Sequence, residues 1–482
     1  MKRAINTFIW LLLLFVCTFP PTDLYPEIYI QPKWGATVWV VLLCCIFGKR
    51  PNEKYLPWAT CLMAVYLCIY SPFENNSVRA LHLCLLLPFV HQAHLSKRRV
   101  LRSAVWAVEG IVIITLILIQ CRTAYLCLML FLLLYCLPYR RLYQRVFVII
   151  FFVVVLLFLS IFGMKTESSR GRWFILGNTI ELVKEHPLTG YGKHGFRKIY
   201  MKKQAEYFKS HPDSTYSMLA DEVRHPLNEF LYVAVNWGII ASILLFIVVV
   251  TPLFCYSKVS NSLWRYALMA VFVFSMFCYP LCYPLAWCVI VGNWVRLFSN
   301  IPLSSVSRLV FCILFLVLFA YNDYYLRRWG CISHLSKSGH PKAMMKYYKE
   351  LYPKLYHSPD FLYDYAIESF YAMKFMQAYN LAEECGKEIS SYDLSLLRGD
   401  ICFQRHRYEE ALMHYQEAEW MCPVRFAPLS GMWEVYIRQG NSLSADSIRN
   451  IILNKPVKVL SPEILRIKRM VKVNGNELER SI

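Results

Sequence analysis

Charge is what this chain has least of. Only 17% of its 482 residues are Asp, Glu, Lys or Arg, while 57% are hydrophobic and the mean hydropathy is +0.36. A soluble chain carries about a quarter charged residues, and so large an apolar excess cannot be hidden in cores alone. Disorder, collagen and most soluble classes are excluded, and the surplus apolar surface is expected to face lipid. Acidic groups are the scarcer kind, with 32 Asp and Glu against 52 Lys and Arg and a net charge of +20. That bias suits loops that meet anionic lipid or a polyanionic substrate, with no sign of a nucleic-acid partner. No C-x-x-C pair occurs, and residues 165–224 contain no Cys. Most of the eighteen cysteines, such as Cys44, Cys61 and Cys127, lie in apolar runs, where Cys acts as a small hydrophobe. A disulfide scaffold or zinc motif is therefore not indicated.

Apolar runs near 5–20, 34–48, 55–72, 80–95, 103–121, 123–138, 146–163, 228–254, 264–282, 284–300 and 306–323 predict about eleven transmembrane helices, uncertain by two because several are short. The first follows Met1-Lys2-Arg3 without a small-x-small cleavage site and is expected to be retained. Basic linkers at Lys49-Arg50, Lys97-Arg98-Arg99 and Arg140-Arg141 alternate with Lys- and Arg-poor ones. The positive-inside rule then puts the basic set and the N-terminus in the cytoplasm. The polar loop at about 164–227, Arg122 and the region after Tyr324 are expected on the outer side.

Beyond Tyr324 the composition becomes that of a soluble helical domain. Within Tyr392–Arg425, Gly399, Tyr408, Ala411, Tyr415, Ala418 and Pro423 follow the tetratricopeptide pattern. Weaker copies carry Ala378 and Ala382, Tyr436 and Ala445, and Ala343 with Tyr347. Three or four stacked helical hairpins are expected, a docking or acceptor-presenting surface with no catalytic constellation of its own; a plain helical bundle is the alternative. The fold class predicted is thus all-α: a polytopic membrane bundle over 1–325 with a large outer loop, and a helical repeat domain over 326–482.

Three features could carry chemistry. Arg122, at the edge of two apolar runs, is either a snorkelling anchor, paired, or functional. Arg170-Gly171-Arg172 can fork onto phosphate oxygens, and Pro187-Leu188-Thr189-Gly190-Tyr191-Gly192 frees backbone at a turn; a solvated helix start and an ordinary turn are the plainer alternatives. His225 stands at a water–lipid boundary in Asp221-Glu222-Val223-Arg224-His225-Pro226-Leu227-Asn228-Glu229, where an imidazole can take a proton from a hydroxyl, and Asn228 or Glu229 could orient it. No His-x-x-x-His or paired-carboxylate spacing supports a metal there, and none is expected.

In this order the residues resemble the O-antigen ligase and polymerase superfamily. The matching elements are Cys121-Arg122-Thr123, Arg170-Gly171-Arg172, Pro187 to Gly192, His225 with Asn228, and Gly238. The stretch Tyr207 to Ser214, together with the repeat tail, looks like the branch found in Bacteroidetes-type bacteria. The resemblance implies a multi-pass inner-membrane enzyme that moves a glycan from undecaprenyl diphosphate to an acceptor hydroxyl at the periplasmic face, inverting the anomeric centre without metal or cofactor. It implies that Arg122 and Arg172 hold the diphosphate, with Arg170 a second candidate because a Ser or Asn usually stands there. His225 would be base or orienting group, with Asn228, Gly190 and Gly192 at the substrate. The acceptor would be a lipid A core, a growing glycan (polymerase) or a protein (O-oligosaccharyltransferase), and the repeats could bind a protein partner. A transporter or a membrane scaffold is the alternative of another class, disfavoured because polar groups gather at one face and no duplicated topology is seen.

Overall fold

A computed structural model describes residues 2–46, 55–95, 99–136, 166–255, 262–297, 305–337 and 341–479. Among them are twenty α-helices, two short 3-10 helices and no strand, so the all-α expectation holds. The predicted span at 146–163 lies outside the described residues. The chain divides into two compact units. One comprises 1–164, 227–230 and 243–334, the other 165–226, 231–242 and 335–482.

The first unit is the apolar one. Its helices are α1 (Lys2–Cys17), α2 (Gln31–Ile46), α3 (Leu56–Ile69), α4 (Asn76–Gln92), α5 (Arg99–Ile119) and α6 (Arg122–Cys136). They are joined by parts of α9 (Glu229–Phe254), by α10 (Ser262–Ser275) and α11 (Pro284–Leu297), and by most of α12 (Ser305–Lys337). Helix α4 is the hub, buried continuously from Ala80 to Val90 and packed against α3, α5, α6 and α10. It starts cleanly because the Asn75 side chain accepts from the Ser77 amide at 2.8 Å. By contrast α5 exposes Ile113, Ile114, Ile117 and Leu118, and α9 exposes Ile240, Ile243, Leu244 and Ile247. Apolar patches of that extent are not left to water. Arg102–Ile119 and Glu229–Phe254 are long and apolar enough to cross a membrane, while Leu56–Ile69, Leu263–Ser275 and Pro284–Leu297 are apolar but shorter. Helices thus stand at the other ten predicted runs; α3 ends at Ile69 and α10 at Ser275, short of the predicted ends at 72 and 282.

The second unit contains the repeats. Helices α14 (Pro359–Tyr371) and α15 (Phe375–Glu388), α16 (Tyr392–Gln404) and α17 (Tyr408–Met421), and α18 (Ala427–Arg438) and α19 (Ser442–Asn454) form three antiparallel pairs. They repeat at roughly 34 residues, the tetratricopeptide period. Each hairpin turn closes through one left-handed residue, Met373 (φ 59°), His406 (φ 58°) and Gly440 (φ 70°). Small residues set the packing distance: Gly399 and Gly431 both lie against the Tyr415 ring, and Ala378, Ala382, Ala411, Ala418 and Ala445 are buried. Helix α13 (Pro341–Leu355), which includes Ala343 and Tyr347, packs on α14, and α20 (Pro462–Glu479) closes the other end on α19.

The polar loop belongs to this same unit. Its helices are α7 (Thr166–Glu185) and α8 (Gly195–Ser210). Phe196, Tyr200, Met201 and Ala205 of α8 form one core with Tyr392, Ala418, Met421 and Cys422 of the repeats. The Gln204 amide donates to the Met421 carbonyl at 2.7 Å, and Arg197 forks onto Asp360 at 3.0 and 2.6 Å. Arg425 reaches Asp221 at 2.7 Å. By packing, then, the loop groups with 335–482 and not with the apolar helices that flank it in sequence.

Candidate functional site

The predicted residues fall on both units. Arg122 and Asn228 lie in the apolar unit, and Arg170, Arg172, Gly190, Gly192 and His225 in the loop-and-repeat unit.

Helix α5 ends where Gln120 takes a left-handed φ of 54°, and α6 starts two residues later at Arg122. Cys121 and Thr123 are buried on either side while the Arg122 side chain is exposed. The turn therefore leaves Gln120 and Arg122 exposed between two apolar helices. Asn228 gives its amide to the Met276 carbonyl at 3.2 Å, and Glu229 accepts from the Leu281 amide at 2.8 Å. The two side chains expected to orient His225 thus pin the start of α9 to the 276–281 turn.

Arg170 and Arg172 sit in the first turns of α7, roughly 200° apart around the helix. Their surroundings differ accordingly. Arg170 donates to the Thr215 hydroxyl at 3.0 Å and lies 5.8 Å from the centre of the Tyr216 ring. Arg172 is exposed, and among the described residues no acceptor engages it. Phe174 holds this end of the helix, stacked on Tyr216 at 5.0 Å and packed against Tyr207 and Phe208.

The Pro187–Gly192 turn has a purpose that glycine spacing alone did not reveal. Helix α9 is broken at Gly238 (φ 85°, ψ 170°), which leaves backbone groups of the helix without their usual partners. The turn supplies them: Tyr191 N donates to Val235 O and Gly192 N to Asn236 O, both at 2.8 Å, and Ile239 N donates to Pro187 O at 2.7 Å. The Asn236 side chain, buried, accepts from Phe196 N at 2.8 Å. A β-carbon on Gly190 would stand 2.6 Å from the Val235 carbonyl oxygen, so only glycine fits. Gly190 N is itself bonded to His186 O at 3.1 Å. The Gly190, Tyr191 and Gly192 amides are thus engaged inside the chain.

His225 precedes the buried Pro226 and the left-handed Leu227 (φ 57°). Its half-buried ring stacks on Tyr232, centroids 4.6 Å apart and planes 23° from parallel. The segment 231–242 of α9 therefore does two jobs, holding His225 at its first turn and the Gly-x-Gly turn at its break. Beside His225, Glu222 is bonded to Arg224 at 3.3 Å. Burial and the nearby Asp393 carboxylate push Glu222 above the usual carboxylate range, against the pull of Arg224. Tyr232, Asn236 and the Thr215–Tyr216 pair escaped the sequence reading. The available signals were an aromatic seven positions after the histidine and an asparagine in an apolar run.

Residues 107–246 match the family model described as O-Antigen ligase, an interval that contains Arg122, Arg170, Arg172, the 187–192 turn, His225, Asn228 and Gly238. No curated protein matches the chain. Among solved structures it is similar to one titled "Crystal structure of APC/C hetero-tetramer Cut9-Hcn1", at 10% identity over 92% of this chain and 94% of that one, with a TM-score of 0.28. A likeness that distant carries no argument.

Proposed function

We propose that this chain is an O-antigen ligase-like membrane glycosyltransferase of the inner membrane. It transfers a glycan from undecaprenyl diphosphate to an acceptor hydroxyl at the periplasmic face. The match over residues 107–246, which brackets every candidate site residue, carries this reading.

The chemistry follows from the side chains. The acceptor oxygen attacks the anomeric carbon from the face opposite the diphosphate, the carbon–oxygen bond to the diphosphate breaks, and configuration inverts. Negative charge builds on the departing diphosphate, and fixed guanidinium groups can stabilise it with no metal. Arg172 suits that role because it is exposed and engages no acceptor among the described residues, whereas Arg170 already serves Thr215. Arg122, exposed at the turn between α5 and α6, is the second guanidinium. His225 accepts the proton of the acceptor hydroxyl, and its stack on Tyr232 fixes the plane of the ring.

A second reading concerns the acceptor. Glu222 and Arg224, next to His225, line a small cavity with the repeat residues Asp360, Tyr363 and Asp393. The repeats therefore contribute surface beside the histidine, which favours a macromolecular acceptor, a glycan chain or a protein, that touches them. The test is transfer from a lipid-linked oligosaccharide in membranes with Arg122→Ala, Arg172→Ala and His225→Ala. Full activity of His225→Ala at normal expression would remove the histidine from the reaction. The product missing from a deletion strain separates the acceptors: capped lipid A core, long glycan chains or glycosylated protein.

A further inference from the structure

The apolar unit holds a cluster for which the proposed glycosyl transfer has no use. His91 lies in the last turn of α4, His94 in the following 3-10 turn Ala93–Leu95, and Glu109 on α5. His91 Nδ1 is 2.9 Å from one carboxylate oxygen of Glu109 and His94 Nε2 is 3.0 Å from the other. The three ligand atoms all fall within 4.8 Å of one another. The Glu109 side chain is only 9% exposed, its helix neighbours Val105 and Val112 are buried, and the Trp106 ring covers His94 at 4.3 Å.

A carboxylate removed from water in apolar surroundings needs compensating charge. The two imidazoles reach its two oxygens, and a divalent cation held by the same side chains would add coordination and charge. The atoms are suitably spaced. Ligands about 2.1 Å from a tetrahedral ion stand roughly 3.4 Å apart, so separations of up to 4.8 Å must close by no more than about 1.4 Å to admit one. Imidazole nitrogen with a single carboxylate oxygen is also the donor set that zinc and its neighbours prefer, and too poor in oxygen for calcium or magnesium.

We infer that His91, His94 and Glu109 form a binding site for a first-row divalent cation of the zinc class, with water or a further ligand completing the shell. The site fastens the end of α4 to α5 and is separate from the residues assigned to glycosyl transfer.

The full-length protein, purified in detergent and stripped with chelator, is titrated with Zn2+ and with Co2+. Wild type is expected to retain one more equivalent of zinc than His91→Ala/His94→Ala, and to show the visible absorption of four-coordinate Co2+, which the double variant lacks. Glu109→Gln is expected to bind at least about tenfold more weakly, since a charged ligand is lost. Because the double variant could fail to fold, zinc-dependent slowing of hydrogen exchange at 88–112 is measured in the wild type itself. Equal zinc in wild type and a folded variant, or no change in exchange and no Co2+ absorption in wild type, overturns the site and leaves a histidine–carboxylate ion pair only.

Discussion

The His225 imidazole lies stacked on Tyr232, ring centroids 4.6 Å apart, so the one histidine placed at the proposed reaction is held by a residue of the following helix. An aromatic stack of this kind fixes ring orientation without consuming either ring nitrogen. Tyr232→Phe keeps the stack and is expected to keep transfer within about threefold of wild type. Tyr232→Ala frees the ring and is expected to lower kcat roughly tenfold with little change in donor KM, because misplacement of a catalytic group slows chemistry more than binding. Steady-state transfer kinetics in membranes check both. A KM effect alone would make Tyr232 a donor contact.

Gly238 makes a sharper structural prediction. Its backbone (φ 85°, ψ 170°) lies in a region that only glycine occupies readily, and a β-carbon there would overlap the Leu188 carbonyl. Gly238→Ala is expected to cost the loop unit more than about 3 kcal/mol, from strain and clash together. Gly192 also has positive φ (83°) but nothing within 4 Å of the site of a β-carbon. Gly192→Ala is thus expected to cost only about 1–2 kcal/mol. Hydrogen exchange of the 187–196 amides in the two proteins measures the contrast. Equal protection would show that the turn does not depend on the break in α9.

These two glycines also show where sequence legibility stops. The repeat tail was readable because its packing rule is local: small residues such as Gly399, Ala411 and Ala445 recur at helical-repeat spacing and meet partners within the repeats. The all-α class was readable for the same reason, from continuous apolar runs. What joins the loop to the repeats is not local. Arg197 and Asp360 are 163 positions apart, and Gln204 and Met421 are 217 apart, with nothing in either segment to announce the other. Hydropathy likewise runs unbroken through α9 and conceals the kink at Gly238, since it records how greasy a residue is and not what its backbone does. The Gly-x-Gly turn likewise gives no sign in sequence that its amides meet the broken helix α9.

Asp400 gives the repeat domain a pH dependence of predictable sign. Burial, aided by the Glu434 charge, raises it to about 6, although the Tyr415 hydroxyl donates to it at 2.7 Å and pulls the other way. Its unfolded value is near 3.9, so between about pH 4 and pH 6 the folded state holds the proton that the unfolded state releases. This contribution is complete below about pH 4 and is lost as pH rises through 6. Asp400→Asn keeps an acceptor for Tyr415 without the buried charge. It is expected to be more stable than wild type at pH 7.5, by at most about 3 kcal/mol, and equal to it near pH 4. Exchange of the α16 and α17 amides against pH in the full chain tests this. A variant that is less stable at both pH values would mean that Asp400 makes a bond Asn cannot replace.

Arg170 and Arg172 can be told apart because they stand two residues apart on one helix. Arg170 ties α7 to Thr215 and Tyr216, while Arg172 extends from the helix with its guanidinium available to a ligand. If Arg172 meets the diphosphate, Arg172→Ala loses charge stabilisation that matters most as the sugar departs, and kcat is expected to fall about 100-fold or more. Arg172→Lys keeps the charge but loses the fork, so recovery is expected to be partial, at about tenfold below wild type. Arg170→Ala is expected to loosen exchange at 212–218 and reduce transfer less than tenfold, since its loss is felt through packing. Measuring all three variants against the same lipid-linked donor decides the assignment. The reverse order, with Arg170→Ala inactive and Arg172→Ala near normal, would transfer the diphosphate to Arg170 and make the Thr215 bond one that the donor displaces.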